Sequence, residues 1–355
     1  MKMDLGVLRK KIDALDAKIV ALLNERAGIT LSIGREKIKN NKSIYAPDRE
    51  QDVLKRIRQL NQGPISPEAV KAIYREIMSA SLALEKPLQI AYMGPQATFS
   101  HLASIKRFGS SVTHTACNDV ADVFARVENG ECDYGVVPIE NSIEGVVSHT
   151  MDMLVDSDLK ICAQVLLDVQ HMLMAKGSMA GIKTIYSHSQ VLGQCRHWLA
   201  LNMPKVELVS VGSTTKAAQI AAKQKNAACI ASELAAKEYG LNILKKNIQD
   251  GRHNITRFLV ISGAEVGPTG NDRTSLVFSI KDKVGALHAM LTPFYKNKIN
   301  MTRIESRPSK KKAWDYYFFV DCEGHQKDPH VARALTQLES MCKFLNILGS
   351  YPVLD

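Results

Sequence analysis

Leu82-Ala83-Leu84-Glu85-Lys86-Pro87-Leu88-Gln89-Ile90-Ala91-Tyr92 is the stretch in which the chain changes character. Before it, apolar residues recur at helical spacing. After Pro87 the texture becomes short β-rich runs. Proline disfavours helix in the residue before it, so a helix is predicted to stop near Lys86. A second break is Gly263-Ala-Glu-Val-Gly-Pro-Thr-Gly-Asn-Asp272, whose glycines and proline read as a linker. Three parts follow: an all-helical part (1–86), an α/β part (87–264) and a C-terminal part (272–355).

The 355 residues suit such a multidomain chain, and 45% apolar with 23% charged residues excludes wholesale disorder. No run of about 18 apolar residues occurs, so no membrane span is expected. The N-terminus lacks the uninterrupted apolar core of a signal peptide. Seven cysteines with no C-x-x-C pair argue against a disulfide framework or zinc site, and make a reducing cytoplasm the default. The net charge of +10 suits nucleic acid or small acidic substrates.

In the helical part, Leu5, Leu8, Ile12, Leu15, Ile19 and Leu22 alternate steps of three and four. The step continues through Arg26, Ile29, Ile33 and Lys37. Gly6, Gly28 and Gly34 are a mild cost rather than a stop. A helix over 4–38 is about 50 Å long, too long to bury its stripe in a small single domain, so partner helices from another subunit are expected. Arg9, Arg26 and Lys37 lie on or beside the apolar stripe. Long cations can snorkel to the surface, but three on one face invite a bound anion. Ser66 as N-cap and Pro67 in the first turn open a later helix, with Ser81 and Glu85 in core register.

This part resembles the all-helical, intertwined-dimer class of chorismate mutase. The resemblance rests on Leu8-Arg9, Leu22-Leu-x-Glu-Arg26, Gly34-x-x-Lys37, Tyr45-x-Pro47-x-Arg49-Glu50 and Ser81-x-x-x-Glu85. It implies that Arg9 of a partner subunit, Arg26 and Arg49 engage the two carboxylates of chorismate. It places Glu50 on the ring hydroxyl, Lys37 and Glu85 at the ether oxygen, and Ser81 in the lining. The chemistry fits: a pericyclic shift needs no base, only a dianion held in its reactive conformer and charge stabilised on the breaking ether oxygen. Ala46 stands where the family often has an acidic residue, and Glu85 where some members have glutamine. A carboxylate cannot donate a hydrogen bond, so Glu85 is expected to work protonated, favouring mildly acidic pH.

The middle part repeats strand, polar corner, helix. Expected strands are Leu88–Met93, Tyr134–Ile139, Thr184–Tyr186, Val206–Val211, Ala228–Ile230 and Leu259–Ser262. That order implies a largely parallel α/β architecture in two lobes, with polar strand ends lining a crevice. Ser and Thr at helix starts are ordinary N-caps, though several together suit an anionic ligand. Nucleotide fingerprints are absent, and Cys195 with His197 faces apart on a helix.

This part resembles prephenate dehydratase. The carrying motifs are Gly94-Pro-x-x-Thr98-Phe-Ser100, Val137-Pro-Ile-Glu-Asn141-Ser, Ser187-His-x-Gln190-x-x-x-Gln194-Cys, Ser213-Thr-x-x-Ala217-Ala and Asn254-x-Thr256-Arg-Phe258. The resemblance implies Thr256 as the essential hydroxyl, with Glu140, Asn141, Ser187 and Gln194 around prephenate. Thr98 and Ser100 are expected to help bind the anion, and Arg257 to hold the side-chain carboxylate or sit in a structural pair. Proton donation to a departing hydroxide, directly from Thr256 or through Glu140, is the main task. Ala97 replaces a glycine, and Ser189 a proline, common in these motifs.

The C-terminal part reads strand 274–280, helix 285–296, strand 299–305, strand 314–320, helix 329–339, strand 344–348. This is the ferredoxin-like βαββαβ order. Lys310-Lys-Lys312 is expected to be a solvated hairpin tip. This part resembles an ACT domain, which implies a phenylalanine site at Gly285-Ala286-Leu287-His288 and Glu305-Ser306-Arg307-Pro308. Order and sizes together resemble bifunctional chorismate mutase–prephenate dehydratases. That implies chorismate to prephenate to phenylpyruvate, with no cofactor or metal, feedback inhibition by phenylalanine, and a homodimer or higher homo-oligomer. Nucleic acid and membrane are not expected partners. The rival from another class is a non-catalytic two-lobed aromatic-metabolite sensor with an ACT output, which predicts a lost Thr256 or a broken mutase stripe.

Overall fold

A computed structural model describes residues 4–40, 44–251, 253–281, 283–309 and 316–353. Two compact units emerge, Met1–Leu88 with Phe108–Thr113, and Gln89–Arg107 with His114–Asp355. The linker expected at 263–272 lies inside the second unit.

The first unit is built from α1 (Leu5–Lys39), α2 (Pro47–Leu60) and α3 (Pro67–Glu85). Ser66 Oγ accepts from Ala69 N–H and Pro67 opens α3, as the sequence predicts, and α3 ends with Lys86 as its C-cap. The stripe of α1 is left bare: Leu5, Leu15 and Leu22 are 61%, 57% and 64% exposed. Each such side chain would gain ~1.5–3 kcal/mol if fully covered. Gly34 marks the tightest approach of α1 to α3, where an added Cβ would stand 3.2 Å from Glu85 Cα.

The second unit begins with β1 (Gln89–Met93), α4 (Phe99–Phe108), β2 (Thr113–Cys117) and α5 (Val120–Glu128). Next come β3 (Tyr134–Asn141), β4 (Gly145–Val146), α6 (Ser148–Asp156) and β5 (Lys160–Asp168). The chain then crosses to a second sheet with β6 (Met172–Ala175), β7 (Thr184–Ser187), α7 (Ser189–Gln194) and α8 (Arg196–Asn202). That lobe is completed by β8 (Glu207–Ser210), α9 (Thr214–Lys223), β9 (Ala227–Ala231), α10 (Glu233–Tyr239) and β10 (Asn242–Lys245). Finally β11 (Ile255–Ser262) returns to the first sheet. The orders are β2-β1-β3-β11-β5, with β4 on β3, and β10-β6-β9-β7-β8.

All six expected strands form. β1 runs parallel to β3, and β7 to both β8 and β9. The sheets are mixed, because the strands beside each lobe crossing (β5, β6, β10 and β11) pair antiparallel. Thus β11 lies between β3 and β5, and its first residues reach the mouth between the lobes.

The remainder is β12 (Asp272–Ser279), α11 (Ala286–Lys296), β13 (Met301–Pro308), β14 (Tyr316–Glu323), α12 (Pro329–Glu339) and β15 (Phe344–Pro352). Its sheet order β13-β14-β12-β15, all antiparallel, is that of the ferredoxin-like arrangement. Lys310–Lys312 and Trp314 lie outside the described residues. One sheet face packs Leu276, Phe278, Val320 and Cys322 under its helices. The other puts Val277, Phe319 and Tyr351 into a core shared with Val137, Ile161 and Leu259. At Gly349 (φ +151°) β15 passes so close to β5 that a Cβ would strike the backbone of Ile161.

Candidate active sites

Two pairs join α1 to α3. Arg26 Nη1 donates to Ser81 Oγ at 2.6 Å. Lys37 Nζ lies 3.0 Å from Glu85 Oε2 and donates to the Ile44 carbonyl at 2.6 Å. Ser81 is buried and the Glu85 side chain is 7% exposed, so charged and polar groups sit where an apolar stripe would place core. Pro47 opens α2, which carries Arg49 and Glu50 in its first turn. Ala46 is the N-cap of α2 and has no side-chain acceptor to cap it. Arg9 is exposed and stands 17 residues before Arg26 on one helix, about 25 Å along the axis. It cannot reach the Arg26 site of its own chain.

In the second unit the strand ends of β3 and β11 gather a polar cluster. Thr256 pairs with Asn141, and Asn141 Nδ2 donates to Thr256 Oγ1 at 2.8 Å and to Asn254 Oδ1 at 2.7 Å. Asn254 Nδ2 donates to Gln194 Oε1 at 2.9 Å, and Gln194 Nε2 to Glu144 Oε1 at 2.9 Å. Because Thr256 Oγ1 accepts from an amide, its own O–H is left to donate elsewhere. Thr256 is half-buried at the strand end, where a ligand can meet that proton.

The other expected residues of this part take varied places. Successive strand residues face opposite ways, so Glu140 and Arg257 lie on the far side of the sheet from Thr256. Glu140 pairs with Arg303 at 2.9 Å and Arg257 at 3.4 Å. Arg257 also donates to Asp321 at 2.7 Å, Tyr351 Oη at 2.8 Å and Gln164 Oε1 at 3.0 Å. Arg257 thus sits in a buried ion-pair network, the second of the two settings expected for it. Burial opposes its charge, but Tyr351, Asp321 and Glu140 outweigh this and hold the guanidinium pKa above its ordinary value. Ser187 is fully buried and its hydroxyl donates to the Ile230 carbonyl at 2.7 Å, inside the second sheet. Thr98 Oγ1 accepts from His101 N–H, an N-cap of α4, and Ser100 is buried in that helix.

Ala97 adopts φ +65°, which explains why glycine suits that turn. Ser189 is the first residue of α7, a position at which proline is welcome. Ser213 is an ordinary N-cap of α9. Cys195 is fully buried, with its thiol pKa pushed up to about 12 by burial and Asp250, which leaves it inert. Among the described residues no group of three or more His, Cys, Asp or Glu could hold a metal, and no helix is long and apolar enough to cross a membrane.

Asn254, Glu144 and His171 were missed as site residues. The period-2 rule would have found Asn254, two residues before Thr256 and hence on its side. His171 and Glu144 carry no local signal.

In the C-terminal part Gly285 is the N-cap of α11, Ala286 is buried, and Leu287 and His288 are exposed. Arg307 and Ser279 both pair with Tyr317, so the two expected phenylalanine motifs lie at one end of the sheet. The second motif is split by strand alternation. Ser306 and Pro308 are exposed, whereas Glu305 and Arg307 face the other way. Arg307 is a tie rather than a free ligand: Nε and Nη2 both donate to Asp152 Oδ1 on α6, at 3.1 and 2.8 Å.

Three family models match the chain, one after another: Chorismate mutase type II over residues 8–86, Prephenate dehydratase over 90–266 and ACT domain over 274–340. The chain is 49% identical over 354 residues to a bifunctional chorismate mutase/prephenate dehydratase of Aquifex aeolicus, covering 98% of each chain. It is 44% identical over 355 residues to one of Pseudomonas aeruginosa, covering 98% of this chain and 97% of the other. The solved prephenate dehydratase of Arthrobacter aurescens, in complex with L-Phe, superposes with TM-score 0.70 at 34% identity over 75% of this chain and 90% of that one. The chain belongs to the family of bifunctional chorismate mutase/prephenate dehydratases.

Proposed function

We propose that the chain rearranges chorismate to prephenate among α1, α2 and α3, and converts prephenate to phenylpyruvate at the Asn141–Thr256 strand ends. The three parts, 1–86, 87–264 and 272–355, are read as mutase, dehydratase and phenylalanine-responsive units.

In the mutase step Arg26 and Arg49 bind the substrate carboxylates, with Arg9 supplied by a second copy whose α1 covers the bare stripe. Glu50 takes the ring hydroxyl. Lys37 and Glu85 face the ether oxygen, where negative charge develops as the C–O bond breaks. Ser81 holds Arg26 in place. A homodimer is the smallest assembly that satisfies both the exposed leucines and the distance of Arg9 from Arg26.

In the dehydratase step the ring carboxylate leaves as carbon dioxide. Its bonding electrons move through the ring and expel the ring hydroxyl, which departs as hydroxide and is protonated to water. Thr256 donates to that oxygen as the C–O bond breaks, oriented by the amide of Asn141. Glu140, turned to the other side of β11, is not in that path. The one observation carrying this reading is the accepted bond at Thr256 Oγ1, which leaves the hydroxyl proton outward. Phenylalanine is read as an inhibitor bound at the Gly285–His288 and Glu305–Pro308 end of the C-terminal sheet, the same ligand that the Arthrobacter aurescens relative holds. All seven cysteines are free, and six are buried, which fits a cytoplasmic setting.

The test is to supply chorismate, follow prephenate and phenylpyruvate, and then add phenylalanine. Both products in sequence, with phenylpyruvate suppressed by phenylalanine, support the reading. Binding of either metabolite without turnover favours the non-catalytic sensor.

A further inference from the structure

His171 belongs to neither sheet. It lies in the first of two segments that cross between the lobes, residues 169–171 after β5, the other being 246–254 before β11. Its backbone N–H donates to Gln249 Oε1 and its carbonyl accepts from Ile248 N–H, both at 3.0 Å, tying the crossings together. The residue is 1% exposed, with Phe99 set edge-on to its ring at 5.7 Å. Its Nε2 lies 2.7 Å from Gln194 Oε1, and Nδ1 is buried with no hydrogen-bond partner among the described residues.

The direction of every bond in this cluster is fixed from its ends. Backbone N–H groups of Ile143 and Glu144 can only donate, and both donate to Asn141 Oδ1. Asn141 Nδ2 must then face Asn254 Oδ1 and Thr256. Asn254 Nδ2 is left for Gln194 Oε1, and Gln194 Nε2 for the Glu144 carboxylate. Gln194 Oε1 is thus an acceptor, so His171 Nε2 carries a proton and Nδ1 does not. Burial, partly offset by the Gln194 bond, lowers the His171 pKa and keeps the ring neutral.

We infer that His171 is a positioning residue for the dehydratase step, holding Gln194 as a neutral Nε2–H tautomer so that the amide chain keeps its direction toward Thr256. The inference rests on the reading of Thr256 as the proton-donating hydroxyl. Without the imidazole donor, Gln194 Oε1 keeps Asn254 as its one side-chain partner and is free to turn away. Asn254 then loses its acceptor, the Asn141 amide is less firmly held, and the Thr256 hydroxyl wanders from the departing oxygen.

The test uses the full chain with His171→Leu, which removes the donor, and His171→Gln, whose amide N–H can reach the Nε2 position. His171→Leu should lower dehydratase kcat ~10-fold or more, about 1.4 kcal/mol, with KM changed less than ~3-fold and mutase turnover unchanged. His171→Gln should recover kcat to within ~3-fold, and adding His171→Leu to Gln194→Ala should cost less than ~2-fold more. Equal losses in both single variants, or undiminished losses in the Gln194→Ala background, overturn the inference. Should His171→Leu fail to fold, nitrogen NMR of the wild-type histidines decides. Nε2–H at the resonance missing from His171→Gln supports the inference, and Nδ1–H overturns it. Thr256→Ala measured alongside separates the two readings. Retained turnover there brings down the role of Thr256, whereas its loss beside a fully active His171→Leu brings down only the role of His171.

Discussion

Arg257, the residue after Thr256 on β11, donates to Asp321 of β14 at 2.7 Å, with both side chains only 6% exposed. The strand bearing the candidate proton donor is therefore clamped by a charge from the C-terminal sheet. Arg257 Nη2 also donates to Tyr351 Oη at 2.8 Å, and Ser275 Oγ, 2.7 Å from Tyr351 Oη, donates to Asp321 and closes the network. Removing one member of a buried pair strands the other charge, at a cost of about 3–5 kcal/mol. Asp321→Ala should lower the denaturation midpoint of the second unit accordingly and reduce dehydratase turnover, while mutase turnover persists. An unchanged midpoint contradicts the clamp.

Gly34→Ala tests the close approach of α1 and α3. The new methyl would stand 2.9 Å from Glu85 Cγ and 3.2 Å from Glu85 Cα, and the backbone atom cannot step aside. Overpacking of ~1–3 kcal/mol outweighs the ~1 kcal/mol that alanine gains over glycine in a helix. The Lys37–Glu85 pair should open, and mutase turnover fall at least ~10-fold, as displacement of positioned groups implies. Wild-type mutase turnover in this variant would refute the packing argument.

Glu85, 3.0 Å from Lys37, can donate a hydrogen bond to the ether oxygen only as the neutral acid. Mutase turnover should therefore rise as the medium is made mildly acidic. Glu85→Gln, which donates at every pH, should flatten that profile. Identical profiles for the two proteins rule the proton out.

His101 makes the second unit acid-sensitive. Its Nδ1 accepts from Ala97 N–H at 3.1 Å, and burial, with His114 adding, pushes its pKa down from 6.5 to about 4. Between those values the unfolded chain binds the proton and the folded one does not. Stability is thus full above the unfolded pKa and falls as pH drops toward the folded one. His101→Asn, which keeps an acceptor near Ala97, should make the loss between about pH 6.5 and pH 4 shallower. Urea midpoints across that window check it, and an unaltered slope is the failing result.

Much of this was legible in the sequence for a physical reason. Pro87, Ser66 and Pro67 are local devices, and they fixed helix ends where the structure has them. Most of the six expected strands carry β-branched residues or an alternation, as in Thr184–Tyr186 and Leu259–Ser262. Of the strands outside those six, Met172–Ala175 has no β-branched residue and Thr113–Cys117 is mostly polar, whereas Lys160–Asp168 carries Ile161 and Val165. Side-chain direction was harder. Glu140, Arg257 and Arg307 were placed by motif, and their true facing follows from strand alternation once the register is known. His171 was out of reach, because its partner lies 23 residues away across a lobe crossing.

The central claim is tested most directly by Thr256→Ala in the full chain, fed chorismate. The account predicts that prephenate still forms at the wild-type rate while phenylpyruvate production falls at least ~100-fold, the loss expected of a missing proton donor. Phenylpyruvate formed at a near-normal rate would contradict it.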